Sequence, residues 1–206
     1  MDKFREECGV VGIYGHPEAA NLAYLALYAL QHRGQESAGI AASDGQSLHL
    51  EKGMGLVADV FSETKLRRLK GALAIGHVRY STTGTSQVKN AQPLLAGYKR
   101  GQLALAHNGN LTNAEKARHD LEAAGSIFNS TTDSEVIVHL IARSREPNLL
   151  EASIDALSQV RGAYSLVIMN DTELLGIRDP YGFRPLSLGK LGEAWVLASE
   201  SCAFDL

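Results

Sequence analysis

The stretch Glu7-Cys8-Gly9-Val10-Val11-Gly12-Ile13 joins a charged N-terminal heptamer, Met1 to Glu7, to an apolar run punctuated by glycines. The run from Cys8 to Gly15 has the composition of a first β-strand. Cys8 stands at its start and is one of only two cysteines in 206 residues. If residues 1–7 were removed, its thiol would lie beside a free α-amine, and an N-terminal amine can act as the base for a side-chain nucleophile. A cysteine at a strand start also serves simply as a small buried hydrophobe. The stretch alone leaves both roles open.

Outward from it, the chain alternates strands and helices without a strict βαβ rhythm. Pro17 suits the first turn of a helix that runs to about Arg33 and stops at Gly34. Its segment Leu22 to Leu30 is apolar on nearly every face, so the helix is expected to be buried on more than one side. Ser37 to Ser43 and Ser47 to Lys52 flank Asp44-Gly45, a hairpin signal. A short helix is expected over Ser62 to Lys70, and strands over Leu73 to Tyr80 and Leu103 to Asn108. Thr112 with Glu115, and Thr132 with Glu135, have the capping-box spacing. They precede helices reaching Gly125 and covering Val136 to Arg143. Another helix covers about Leu149 to Val160. Strands at Ala163 to Met169, Leu174 to Arg178 and Trp195 to Ser199 close the chain, the first two joined at Asn170-Asp171. Such hairpins imply mostly antiparallel pairing, and no linker or repeat divides the chain.

Composition narrows the function. With 45% hydrophobic residues the chain can bury a sizeable core, and its net charge of -3 gives no basic field for nucleic acid. The most basic stretch, Lys65 to Lys70, reads as the solvated face of a short helix. No run approaches the length of a membrane span, and Met1 to Glu7 lacks the apolar centre of a secretory signal. Two cysteines 194 positions apart make no disulfide framework, which points to a reducing cytoplasm. The seven histidines show no metal-ligand spacing. Phosphate-loop and serine-hydrolase signatures are absent.

Polar clusters fall where strands end or helices begin. Gln31-His32-Arg33-Gly34-Gln35 reads locally as a helix C-terminus, with cations facing the dipole and glycine as the stop. Gly76-His77-Val78-Arg79-Tyr80-Ser81-Thr82-Thr83-Gly84 delivers an arginine into a hydroxyl-rich loop, suited to a carboxylate ligand or to a structural ion pair. His107-Asn108-Gly109-Asn110 offers a side-chain amide and a backbone N–H for an oxyanion. Asn-Gly is also a common tight turn. Asp133 lies in a first helical turn, where a carboxylate caps or receives an ammonium. Arg178-Asp179-Pro180-Tyr181-Gly182-Phe183-Arg184-Pro185-Leu186 marks a rigid loop of structural character.

Taken in order, these six segments resemble the class II glutamine amidotransferases, which are N-terminal-nucleophile hydrolases. Within that class, Gln31-His-Arg-Gly-Gln, Gly76-His-Val-Arg-Tyr and Asp179-Pro-Tyr-Gly-Phe-Arg-Pro-Leu look most like the amidophosphoribosyltransferase family. The resemblance implies an α+β fold, a four-layer α-β-β-α sandwich of two antiparallel sheets. It implies a propeptide at 1–7, removed autocatalytically, and a glutaminase domain at 8–206. Cys8 would attack the glutamine side-chain amide, and Asn108 and Gly109 would hold the oxyanion. Arg79, with Thr82 nearby, would bind the α-carboxylate and Asp133 the α-ammonium. Arg33 and Gly34 would line the nucleophile's surroundings, Arg33 on a loop closing over glutamine.

In that family the ammonia goes to phosphoribosyl pyrophosphate in the first step of purine synthesis, on a following phosphoribosyltransferase domain that this chain does not include. Mg2+ and, in some members, a 4Fe–4S cluster belong to that domain, and the full-length protein is expected to form a homo-oligomer. Cys202 is then expected to be a packing residue, and no metal is expected here. Other acceptors in the class are hexose phosphate, in glucosamine-6-phosphate synthase, and aspartate, in asparagine synthetase. A chain that kept its propeptide would be a glutamine-binding scaffold without activity.

Overall fold

Glycines in the opening strand allow three layers to meet there. In the computed structural model, which describes residues 8–80 and 87–205, β1 (Gly9–Tyr14) is followed by α1 (Ala19–Ala29), β2 (Ser37–Ser43) and β3 (Leu48–Met54). A Cβ on Gly9 would meet Val78 and Leu30, and one on Gly12 would come within 2.8 Å of Val167 in the opposite sheet. Val10 and Val11 are both fully buried, one between the sheets and the other beneath the helix. This is the period-two alternation of a strand covered on both faces.

The chain continues through α2 (Val57–Val60), α3 (Glu63–Leu66), β4 (Leu73–Arg79), β5 (Leu94–Tyr98), β6 (Gly101–Leu111), α4 (Ala114–Ala123), α5 (Ser134–Arg143) and α6 (Leu149–Ser158). Strands β7 (Gly162–Met169), β8 (Leu174–Arg178), β9 (Ser187–Leu191) and β10 (Ala194–Ala198) close it. One sheet has the order β3-β2-β4-β1-β10-β9 and the other β5-β6-β7-β8. Every pairing among the described residues is antiparallel. Val10, Ala41, Ile75, Ala104, Ala106, Val167 and Met169 fill the space between the sheets. Helix α1 covers the outer face of the first sheet, and α4, α5 and α6 cover the second. The four-layer α-β-β-α sandwich is therefore as expected. Each large aliphatic side chain buried in it, such as Leu105 or Leu166, contributes roughly 1.5–3 kcal/mol.

Several boundaries differ from the sequence expectation. The long first helix ends at Ala29, and Gln31–Arg33 form a 3-10 turn before Gly34. Helix α1 is covered by the sheet and by a 3-10 segment, Ser201–Phe204, but Leu25 and Tyr28 remain exposed on its outer side. The helix expected over Ser62 to Lys70 is one turn, α3, capped by the Ser62 hydroxyl. Neither capping box forms. The Thr112 hydroxyl donates to the Arg161 carbonyl, and α4 starts after Asn113. Glu135 instead accepts the backbone N–H groups of Asn129 and Ser130, closing the loop before α5. No helix among the described residues is long and apolar enough to cross a membrane.

Candidate active site

The first strand places Cys8 just before β1, beside the end of β4, because Gly9 pairs with Val78. The Cys8 thiol donates to the Tyr80 carbonyl at 3.6 Å. Burial pushes this thiol above its ordinary pKa; the Arg79 charge opposes the rise and the Asp133 charge adds to it. Both charges thus bear on Cys8, although they sit on opposite sheets' flanks. In this chain the Cys8 nitrogen is a peptide amide to Glu7, so it carries no basic lone pair and the thiol stays protonated.

Arg79 ends β4 with its side chain buried, and its Nη1 donates to Glu36 at 2.8 Å. Gly34 packs flat against that strand end: a Cβ there would lie 2.6–2.7 Å from backbone atoms of Arg79 and Val78. Arg33 reaches back from the 3-10 turn, its Nε–H donating to the Cys8 carbonyl at 3.1 Å and its Nη1 pairing with Glu200. The segment read locally as a helix end therefore wraps Cys8, with Arg33 on its carbonyl and Gly34 against the end of β4 beside it. Thr82 lies outside the described residues, as do Met1 to Glu7.

Asn108 and Gly109 are not a turn. They lie within the eleven-residue strand β6, opposite Ser165 and Tyr164 of β7. Gly109 has φ +151°, and a Cβ would come within 2.1 Å of the Ala163 carbonyl oxygen. Only glycine fits there. The Asn108 side chain is buried, and neither its Oδ1 nor its Nδ2 finds a partner among the described residues. Leaving such groups unpaired costs about 1–3 kcal/mol each, a cost that a ligand bearing complementary polar groups would remove.

Asp133 sits at the start of α5. Its Oδ2 accepts the Leu111 N–H at 2.8 Å, and its Oδ1 lies 3.7 Å from His107 Nδ1. His107 also contacts the Ser134 hydroxyl at 2.9 Å, and its backbone N–H donates to Gln92. On the facing sheet, His77 Nε2–H donates to the His107 carbonyl at 3.0 Å. Burial depresses both imidazoles, His77 to about 3, so these groups stay neutral. Charged residues of the site are thus framed by neutral, hydrogen-bonded ones.

Sequence reading missed the residues that hold the site residues in place: Glu36 on Arg79, Glu200 on Arg33, His107 beside Asp133. Each pairing depends on chain segments far apart, which no local pattern records. The Arg178 to Leu186 loop is structural, as expected. Asp179 accepts backbone N–H groups of Tyr181, Phe183 and Tyr164. Burial pushes its carboxyl up, but those donors outweigh it and hold it below its ordinary range.

A family model described as a glutamine amidotransferase domain matches residues 77–205. An Arabidopsis thaliana protein named amidophosphoribosyltransferase 3, chloroplastic, is 54% identical over 206 residues, covering 100% of this chain and 39% of its own length. The amidophosphoribosyltransferase of Bacillus subtilis is 52% identical over 202 residues, covering 98% of this chain and 42% of its own. Among solved structures, glutamine phosphoribosylpyrophosphate amidotransferase from B. subtilis, complexed with ADP and GMP, superposes with a TM-score of 0.91 at 51% identity. That match covers 96% of this chain and 43% of the other. The chain spans less than half the length of the curated relatives it matches.

Proposed function

The chain belongs to the glutamine amidotransferase domain family, and on that footing we propose that it hydrolyses the side-chain amide of glutamine, with Cys8 as nucleophile once residues 1–7 are removed. The observation that carries this reading is the buried amide of Asn108, without a partner among the described residues, beside Gly109 on a strand that meets the Asp133 helix. It supports an oxyanion site that waits for its ligand.

Removal of residues 1–7 converts the Cys8 amide into an α-amine. That amine takes the thiol proton as sulfur bonds to the glutamine amide carbon. Thiol and amine have reference pKa values of about 8.5 and about 7.7–8.0, a nearly balanced pair; burial raises the Cys8 thiol and makes the transfer uphill. Asn108 Nδ2–H and the Gly109 N–H hold the oxyanion. The C–N bond then breaks, the α-ammonium returns a proton, and ammonia leaves a thioester on Cys8. Water cleaves it to glutamate and the free thiol. Arg79, anchored through Glu36, binds the α-carboxylate; Asp133 binds the α-ammonium; Arg33 and Gly34 border the nucleophile. Thr82 is proposed to assist at the carboxylate.

The names of the relatives support an acceptor for the ammonia: phosphoribosyl pyrophosphate, giving 5-phosphoribosylamine on a phosphoribosyltransferase domain outside these 206 residues. Oligomerisation is assigned to that longer protein. A 4Fe–4S cluster needs four thiolates and the chain has two cysteines, so the cluster does not fit this domain. Mg2+ takes oxygen ligands, commonly one or two carboxylates with waters and substrate phosphates, and is assigned to the phosphoribosyltransferase domain with its substrate. Both cysteines are free thiols, which suits a reducing compartment such as the cytoplasm. Intact-mass analysis combined with a glutamate-release assay tests the reading. Glutamate production by a species beginning at Cys8 supports it; a chain that begins at Cys8, folds, and releases none overturns it.

A further inference from the structure

Three side chains from the two ends of the sequence converge behind the nucleophile. His32 comes from the 3-10 turn after α1, and Glu200 and Cys202 from the segment after β10. The ligand atoms His32 Nε2, a Glu200 carboxylate oxygen and Cys202 Sγ all lie within 4.8 Å of one another. Nε2 is 3.0 Å and Sγ 3.8 Å from the same oxygen, Glu200 Oε2.

The outer contacts of this group are those of metal ligands. His32 Nδ1–H donates to the Ala29 carbonyl at 3.0 Å, which orients the ring with Nε2 toward Glu200. Nε2 faces Glu200 Oε2 at 3.0 Å, either as the N–H of an imidazolium ion pair or, on a neutral ring, as a lone pair that a cation held between the two atoms would satisfy. The other carboxylate oxygen, Glu200 Oε1, is held by Arg33. Two of the three side chains are thus oriented from behind, as histidine and carboxylate ligands usually are. Cys202 packs against the core under α1, so its sulfur is held in position too.

We propose that His32, Glu200 and Cys202 form a binding site for a divalent ion of the Zn2+ class. One imidazole nitrogen, one thiolate and one carboxylate oxygen make a borderline-soft set, matching Zn2+ rather than Mg2+ or Ca2+. Three protein ligands leave the fourth tetrahedral position to water. His32 is more than half exposed, so the ion enters from solvent. The site is not part of the glutaminase chemistry, but it shares Glu200 with Arg33, which contacts the Cys8 carbonyl. Spacing along the chain could not show it, because 168 residues separate His32 from Glu200.

Co2+ titration of the full chain carrying Cys8→Ser tests the site by a binding signal that is independent of activity. Cys202 is then the sole thiol. The expected result is a near-ultraviolet thiolate-to-Co2+ charge-transfer band with tetrahedral visible bands, both bleached by one equivalent of Zn2+. Adding Cys202→Ser should abolish the charge-transfer band. Adding His32→Gln, an exposed change that spares the fold, should weaken binding roughly tenfold or more. No charge-transfer band at saturating Co2+, or affinity unchanged by His32→Gln, overturns the proposal.

Discussion

Asp133 accepts the backbone N–H of Leu111 at 2.8 Å, tying the end of the strand that carries Asn108 and Gly109 to the start of α5. In the proposed mechanism the carboxylate has two duties, this structural one and one toward a substrate ammonium. Asp133→Asn separates them, since an amide oxygen still accepts from Leu111 but brings no charge. The expected outcome is a folded protein with its KM for glutamine raised about 10- to 100-fold, the worth of a charged hydrogen bond, and kcat changed much less. Steady-state kinetics check this; a fall in kcat with KM unchanged would place Asp133 elsewhere in the mechanism.

Asn108→Ala removes the proposed oxyanion donor and a buried amide that has no partner among the described residues. Glutamate release is expected to fall roughly 100- to 1,000-fold. Circular dichroism and thermal unfolding should report an intact fold. A variant that keeps activity within a few-fold removes Asn108 from the catalytic account.

Gly109 and Gly45 both have positive φ but different surroundings. A Cβ on Gly109 runs into the β7 backbone, whereas one on Gly45, in the β2–β3 hairpin, meets nothing within 4 Å. Gly45→Ala is expected to cost only about 1 kcal/mol. Gly109→Ala should cost well over ~3 kcal/mol or prevent folding. Chemical denaturation distinguishes them, and equal costs would contradict the described geometry.

Stability should fall below neutral pH through His77. Its pKa is about 3 when folded and about 6.5 when unfolded. The stability it contributes as a neutral group is full above the unfolded value and is lost as pH falls from there toward 3. At pH 5 the unfolded chain is already protonated at this residue, a loss of about 2 kcal/mol. Comparing unfolding free energies at pH 7 and 5 with those of His77→Gln isolates the effect, because glutamine can still donate to the His107 carbonyl. Identical pH slopes would remove it.

Strands buried on two faces, β1, β4, β6 and β7, were legible because their apolar runs are long and bounded by turn residues. Strands β5 and β9 were missed. Both are sheet edges, paired on one side only, and their sequences, Leu94-Leu-Ala-Gly-Tyr98 and Ser187-Leu-Gly-Lys-Leu191, are short and glycine-broken. The Asn108-Gly109 pair shows the opposite failure. A turn-forming dipeptide stays extended because β7 lies beside it, information held more than fifty residues away. The residues proposed to react were legible as an ordered series of motifs; Glu36, Glu200 and His107, which pack against them, were not.

The claim that Cys8 is the nucleophile, and only after residues 1–7 are gone, is tested most directly by rapid-quench intact-mass measurement with glutamine. The account predicts a transient adduct of one glutamyl group on the species beginning at Cys8, and none on chains retaining Met1 to Glu7 or carrying Cys8→Ala. Glutamate release with no adduct at Cys8, or undiminished release by Cys8→Ala, would contradict it.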